Sequence, residues 1–347
     1  MKNKDLFNLN PDENNLLNDG VVEINTAKDA VGYKIIKHEL KTFVCEGEYQ
    51  NGMQRILDTF LGHIDNKQPA VWVSGFFGSG KSHFVKMLSY LWEDFEFPNG
   101  EKARMIKPLP KEVNDLFVEL ERKQQINGRL AITGTLKDFP SKDIRNSFLQ
   151  LFLNELGLPQ QYHLFKFIYW LRQEGIHDEL KAIVEAQGKD FKKEYENLFV
   201  SSAIAKALLE LKPEFAENEA KVKENFKATF VRQETISKEQ LINTIKTEIL
   251  PLRFGTKIPL TIIVLDEVQQ FIGTDGDKSI DVQNLAQELS SNFEGKFLLV
   301  ATGQNALTDT SMLQKLMDRF TVKVSFSDTD VDTVTRKTVL EKKASVI

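Results

Sequence analysis

Apolar positions fix the order of elements along this chain before any single residue draws notice. Between Tyr49 and Ile64 the residues Met53, Ile56, Leu57, Phe60, Leu61 and Ile64 recur at intervals of three and four, one stripe of a helix that packs on the neighbouring α/β elements. Ala70-Val71-Trp72-Val73-Ser74 is a short unbroken run, the pattern of a buried strand; a glycine-rich stretch comes after it, and Phe84, Val85, Met87, Leu88, Leu91 and Trp92 resume helical spacing. Leu130–Thr133, Leu260–Leu265 and Phe297–Ala301 read as buried parallel strands, and Val322–Phe326 alternates as an edge strand would. Five strands separated by helical stretches predict an α/β fold, a three-layer sandwich around a five-stranded parallel sheet.

The stretch between Lys81 and Asp266 is far longer than two or three βα units need, so much of it is expected to be an insertion. Residues 141–250 carry the pattern: Ile144, Phe148, Leu151, Phe152 and Leu156 form one helical face, and Leu164, Phe165, Phe167, Ile168 and Leu171 a second. Its aromatics are expected to be the core of a small helical subdomain rather than the wall of a ligand pocket. The Lys/Glu-rich stretch from Phe215 to Lys227 reads as a solvated helix face. Residues 31–140 and 251–328 then form the two parts of the α/β core, and residues 1–30, rich in Asn and Asp, a polar arm with no assigned chemistry.

Composition narrows the chemistry. A hydrophobic content of 41% is ordinary for a globular protein, and no apolar run in the sequence approaches the length of a bilayer span, which predicts a cytoplasmic protein without a membrane partner. Cys45 is the single cysteine, so no intrachain disulfide forms, and five scattered histidines offer no zinc pattern. Cys45 is read as a buried structural thiol, with a place near a bound ligand as the alternative. A net charge of -5 gives no global attraction for DNA.

Gly75-Phe76-Phe77-Gly78-Ser79-Gly80-Lys81-Ser82 fits G-x-x-x-x-G-K-[ST], a pattern met by chance in a chain of this length on the order of one per cent of the time. Such a loop, between a strand and a helix, turns backbone N–H groups and the positive helix end toward a polyphosphate. Lys81 then reaches the β- and γ-phosphates, Ser82 coordinates Mg²⁺, and His83, expected at the surface of the first helical turn, borders the nucleotide. Asp266-Glu267 ends an apolar strand, which assigns Asp266 to the metal side and Glu267 to the attacking water, and favours ATP hydrolysis over transfer to a small acceptor. Thr302 and Gln304 come after the next strand, where ligands bind in open α/β sheets, although turn chemistry alone also selects polar residues there. Arg319, at the expected end of a helix over residues 313–320, either stabilises γ-phosphate charge in a neighbouring subunit or meets its own helix terminus.

Taken in order, these motifs resemble an AAA+ ATPase core with its Walker A, Walker B, sensor 1 and arginine-finger positions. More narrowly, His38–Val44, the string VWVSGFFGSGKSHFVKMLSYLW from Val71 to Trp92, and DVDTVTRKTVLEKK from Asp330 to Lys343 look like the N-terminal part of BrxC-type proteins, the large P-loop ATPases of BREX bacteriophage-exclusion systems. The resemblance implies an ATP- and Mg²⁺-dependent role in antiviral defence beside a methyltransferase and a phosphatase-like protein, with homo-oligomers in the full-length protein. It also implies that residues 329–347 open a helical lid cut short by the end of this chain. A nucleotide-gated switch with little turnover is the competing expectation, and DNA translocation by this segment the third.

Overall fold

The computed structural model describes residues 22–24, 28–273, 275–304, 314–316 and 318–338, with the single positions 7 and 340. Nearly all of the expected arm, Asn305, Leu313, Met317 and the end of the expected lid lie outside the described residues. By its internal contacts the chain divides into two compact units, Met1–Pro140 with Leu250–Ile347, and Ser141–Ile249.

In the first unit, β1 (Val71–Ser74), β2 (Arg129–Gly134), β3 (Leu260–Leu265), β4 (Phe297–Gly303) and β5 (Val322–Ser325) form one parallel sheet in the order β2-β3-β4-β1-β5. Helices α1 (Ala30–Thr42), α2 (Gly47–Gly62), α3 (Lys81–Glu93), α4 (Ala103–Ile106) and α5 (Lys111–Asn127) precede β2. Successive strand residues face opposite sides. Val71 and Val73 of β1, Ile262 and Val264 of β3 and Val324 of β5 share a core with Ile36, Met53, Phe60, Phe84, Leu88 and Phe117 of the flanking helices. Phe60, Phe84 and Phe117 are completely buried, each contributing about 1.5–3 kcal/mol of burial.

The expectation for Leu130–Thr133 needs correction. β2 is a strand, but it lies at the sheet edge and its burial alternates, with Leu130, Ile132 and Gly134 inside and Arg129, Ala131 and Thr133 half-buried. A strand's own sequence carries its period and not its place in the sheet order, so a four-residue apolar run reads as central when it is not.

The helical unit holds α6 (Ile144–Glu155), α7 (Tyr162–Gln173), α8 (His177–Ala186), α9 (Phe191–Glu196), α10 (Ser202–Leu211), α11 (Glu219–Thr229) and α12 (Lys238–Asn243). Asp143, Asp190, Ser201, Asn218 and Ser237 cap α6, α9, α10, α11 and α12 through side-chain oxygens, each meeting N–H groups that the helix leaves open. Leu164, Phe167, Leu171, Leu180, Leu208 and Phe226 build its core, and the rings of Phe167 and Phe226 meet edge-on at 5.4 Å. In the Lys/Glu-rich stretch, Lys221 pairs with Glu224 at 2.9 Å on the exposed face of α11 while Val222 and Phe226 turn inward.

The first unit closes with α13 (Pro251–Phe254), α14 (Val268–Ile272), α15 (Gly276–Asn292) and α16 (Asp328–Thr338). α14 and α15 pack on β4, α15 through Val282, Leu285, Ala286 and Leu289, and complete the third layer. Among the described residues no helix is long and apolar enough to cross a membrane.

Candidate nucleotide-binding site

β1 ends at Ser74 and the chain turns through Gly75–Gly80 directly into α3, whose first residue is Lys81. The turn needs its glycines. Gly80 caps α3 with φ +79°, a left-handed conformation, and a Cβ there would lie 3.2 Å from the Tyr49 hydroxyl; a Cβ on Gly75 would lie 2.5 Å from Ser79 Oγ. Tyr49, buried on α2, supports the loop from beneath. Its hydroxyl donates to the Ser79 carbonyl at 2.8 Å, its ring stacks on Phe326 at 4.3 Å, and burial pushes its pKa up to about 12, so it stays a neutral donor.

The loop opens on a cavity of about 620 Å³ at the carboxyl ends of the strands, where an open α/β sheet places its ligands. Phe77, Gly78, Gly80, Lys81, Ser82 and His83 line one side, and Asp266, Glu267, Thr302, Gly303 and Gln304 the other. Gly75, Phe76 and Ser79 do not line it. Ser79 is fully buried with its hydroxyl unpartnered, and Phe76 and Phe77 point outward, Phe77 with 82% of its surface exposed.

Lys81 Nζ donates to the carbonyls of Gly75 and Phe76, each at 2.8 Å. Burial holds its pKa below the ordinary lysine value, while the charges of Asp266 and Glu267 pull the other way, which places both carboxylates within electrostatic reach of the ammonium. Asp266, 6% exposed, extends β3, its N–H donating to the Gly134 carbonyl at 2.8 Å. Glu267 leaves the strand with φ +55°, a conformation that costs a non-glycine residue about 1 kcal/mol or more. Thr302 holds this bend: its Oγ1 donates to Asp266 Oδ1 and accepts from the Glu267 N–H at 2.9 Å. Beside it the Gln304 N–H donates to Gln269 Oε1 at 2.8 Å.

His83 is not the surface residue expected. It lines the cavity, but its ring is wedged between α1 and α3, edge-on to Phe43 at 5.7 Å with Nε2 3.3 Å from the Glu39 carbonyl, and burial pulls its pKa down to about 4. The same two helices are joined by a buried ion pair, Lys86 to Glu39 at 2.7 Å.

Arg319 lies outside the cavity. Its carbonyl accepts from Ala70 N–H, just before β1, so the full length of β1 separates it from the glycine loop, and its guanidinium donates to Gln287 on α15 at 2.9 Å. Asp318 and Arg319 form a turn, whereas Leu313 and Met317 of the expected helix lie outside the described residues. Cys45 is buried in a different cavity beside Lys41, Lys107 and Lys337, its thiol pushed up to about 12 by burial.

The cavity also contains residues that sequence reasoning missed: Val22 and Ile24 from the arm expected to carry no chemistry, Thr135 after β2, and Gln269, Gln270 and Gly273 on and after α14. Thr135 is legible in principle, since it comes directly after a predicted strand and polar residues at strand ends are the signal that picks out Thr302. Nothing in their sequence context marks the other five.

The donors fit a nucleoside triphosphate with Mg²⁺. The N-terminus of the 13-residue α3, two glycines whose places a Cβ would crowd, and Lys81 suit phosphate oxygens, while Ser82 and Asp266 are the hard oxygen donors that Mg²⁺ prefers. Among the described residues no cluster of three or more His, Cys, Asp or Glu side chains is placed to hold a metal by itself.

A glycine loop joining a central parallel strand to a helix, with a carboxylate pair at the end of a nearby strand of the same sheet, defines the P-loop NTPase class. Residues 53–294 match the KAP family P-loop domain, and the chain belongs to that family. The matched span includes the loop, the helical unit and Asp266-Glu267 and ends before β4, so Thr302, Gln304 and Arg319 lie beyond it. No solved structure matches the chain.

Proposed function

We propose that this chain is an ATP-binding and ATP-hydrolysing module of the AAA+ kind. The observation that carries the reading is Thr302 Oγ1, which ties the Asp266 carboxylate to the Glu267 backbone at the wall of the cavity that Lys81 and Ser82 enter. Lys81 neutralises charge on the terminal phosphates, and the N–H groups at the start of α3 orient them. Ser82 and Asp266 would hold Mg²⁺, which when bound would supply Lewis-acid neutralisation of the phosphate oxygens. Glu267 orients and polarises the attacking water, and the bend at φ +55° turns it away from the line of β3. Thr302 is a positioning residue in this scheme; Gln304, anchored through its backbone to Gln269, is left to contact the γ-phosphate or the water.

Arg319 supports an oligomeric reading. At the far end of β1 it serves no phosphate bound to its own loop, and in an oligomer an adjacent copy would present it to the neighbouring site. ATPase activity per chain is therefore expected to rise with protein concentration, and Arg319→Ala to remove that rise while leaving ATP binding intact; activity per chain independent of concentration sinks the trans role. The same distance favours a second reading, a nucleotide-gated switch with slow turnover whenever the chain acts alone.

The setting in a BREX-type exclusion complex, in the cytoplasm and beside a methyltransferase and a phosphatase-like partner, rests on the strings at His38–Val44, Val71–Trp92 and Asp330–Lys343, and the family match adds nothing to it. Co-purification of the tagged chain from cells carrying a complete exclusion system tests it, and recovery without either partner counts against it.

A further inference from the structure

The helical unit has a cavity of its own, about 420 Å³, along one face of α7 from Tyr162 to Gln173, closed by Thr229, Phe230, Val231 and Gln233. At the rise of an α-helix that face is about 16 Å long. The aromatics of this unit are expected to form its core, which holds for Phe165, Phe167, Phe226 and Phe230 but not for three rings on α7. Tyr162, Tyr169 and Trp170 are only half-buried and present ring surface to a concavity.

Between the two tyrosines stands Lys166. Its Nζ lies 5.9 Å from the Tyr162 ring centroid and 5.7 Å from that of Tyr169, and Glu248 fixes it there at 2.7 Å. One carboxylate engages only part of an ammonium with three donors. The exposed amides of Gln173 and Gln233 and the exposed Thr229 complete the polar part of the wall. His163, buried and stacked on Phe199 at 5.4 Å, carries no charge at neutral pH, because burial and the nearby Arg232 bring its pKa down to about 4.

This lining restricts the ligand. Lys166 is paired with Glu248 and Gln233 Oε1 accepts from Gln240 at 3.4 Å, but a purely apolar occupant would cover the remaining donors of Lys166 and the exposed amide of Gln173 without matching them. A polyanion held by charge is excluded as well, since Lys and Arg are nearly balanced by Asp and Glu between residues 141 and 249 and Glu248 opposes Lys166. What satisfies the whole set is a planar ring with apolar faces, an edge of donors and acceptors that a carboxamide can match, and one adjoining negative charge.

We propose that this cavity binds a nucleobase, stacked on Tyr162, Tyr169 and Trp170, with its edge read by Gln173 and Gln233 and a single phosphate met by Lys166. The site is independent of the glycine loop and of the activity proposed for it. Its ligand chemistry has two sources, a free nucleotide and an unpaired strand of nucleic acid.

Trp170 makes the test specific. Trp72 and Trp92 are 1% and 0% exposed, so quenching of tryptophan emission by an added ligand reports Trp170. The full chain is titrated with thymidine monophosphate and, separately, with a short oligo(dT), and labelled oligo(dT) is followed by anisotropy. Quenching by both ligands upholds the site and extends it to free nucleotides; quenching by oligo(dT) alone upholds it for a strand. Tyr169→Leu is expected to weaken binding roughly 5- to 100-fold, and the log–log salt slope to stay near about −0.7, the value for one phosphate contact on a single strand. Lys81→Ala leaves these signals unchanged. Where Tyr169→Leu alters the circular dichroism, Gln173→Ala and Lys166→Gln, on the helix surface, replace it. No quenching and no anisotropy change with either ligand, or binding that survives both surface substitutions and Tyr169→Leu, overturns the proposal.

Discussion

The hydroxyl of Tyr49 donates to the carbonyl of Ser79 at 2.8 Å, so a residue of α2, 30 positions earlier in the chain, fixes the floor of the glycine loop. The neighbouring residue continues the connection: the Glu48 N–H donates to Asp330 on α16 at 3.1 Å, and Asp330 also accepts from the Ser327 N–H and hydroxyl. Tyr49→Phe keeps the stack on Phe326 and removes one buried hydrogen bond, leaving the Ser79 carbonyl without it. The expected cost is about 1 kcal/mol, read by calorimetric titration as ATP binding weakened roughly fivefold. An unchanged affinity rules out the support role.

Thr302 is expected to matter for turnover more than for binding. Thr302→Val preserves shape but strands a carboxylate oxygen of Asp266 and the N–H of Glu267 in a buried wall, and both groups are then free to shift. Steady-state hydrolysis should fall at least about tenfold in kcat, with KM changed much less, and Thr302→Ser should restore most of the loss. A fall confined to KM contradicts the positioning role.

Two histidines, one buried and one half-buried, predict acid sensitivity in a defined window. His83 and His163 each titrate at about 4 in the folded protein against about 6.5 unfolded, because burial disfavours the imidazolium. Between those values the unfolded chain binds protons that the folded chain refuses, so stability rises with pH from about 4 to about 6.5 and is flat with respect to these groups above about 7. Each contributes a loss on the order of 2–3 kcal/mol by about pH 4. Urea unfolding of wild type and His83→Gln at several pH values from about 7.5 down to about 4 measures it. The variant should lose less stability on acidification, and parallel curves contradict the assignment.

Much of the fold was legible because its signals are local. The strands β1, β3 and β4 are continuous apolar runs, α2 and α3 carry regular stripes, and the glycine loop and Asp266-Glu267 are contiguous strings at strand ends. What the sequence did not display depends on contacts between distant segments. The edge position of β2 arises from strand order, the contact of His83 with Phe43 from the packing of α1 on α3, and the role of Tyr49 from a helix crossing beneath a loop. Gln269 and Gln270 enter the cavity through the left-handed bend at Glu267, a backbone state that no residue type there announces. The half-buried rings of α7, Tyr162, Tyr169 and Trp170, stand beside core residues on the same helix, so the general expectation that the unit's aromatics form its core did not separate them.

The proposed hydrolysis stands on Glu267 acting on the attacking water while Lys81 and the loop hold the nucleotide. Its most direct test is the identity of the nucleotide on Glu267→Gln after incubation with Mg²⁺ and ATP, measured by chromatography beside wild type and Lys81→Ala. Bound ATP, with hydrolysis slowed at least about 100-fold, is the expected result for Glu267→Gln, and no retained nucleotide that for Lys81→Ala. ADP forming on Glu267→Gln at the wild-type rate would contradict the role given to this carboxylate.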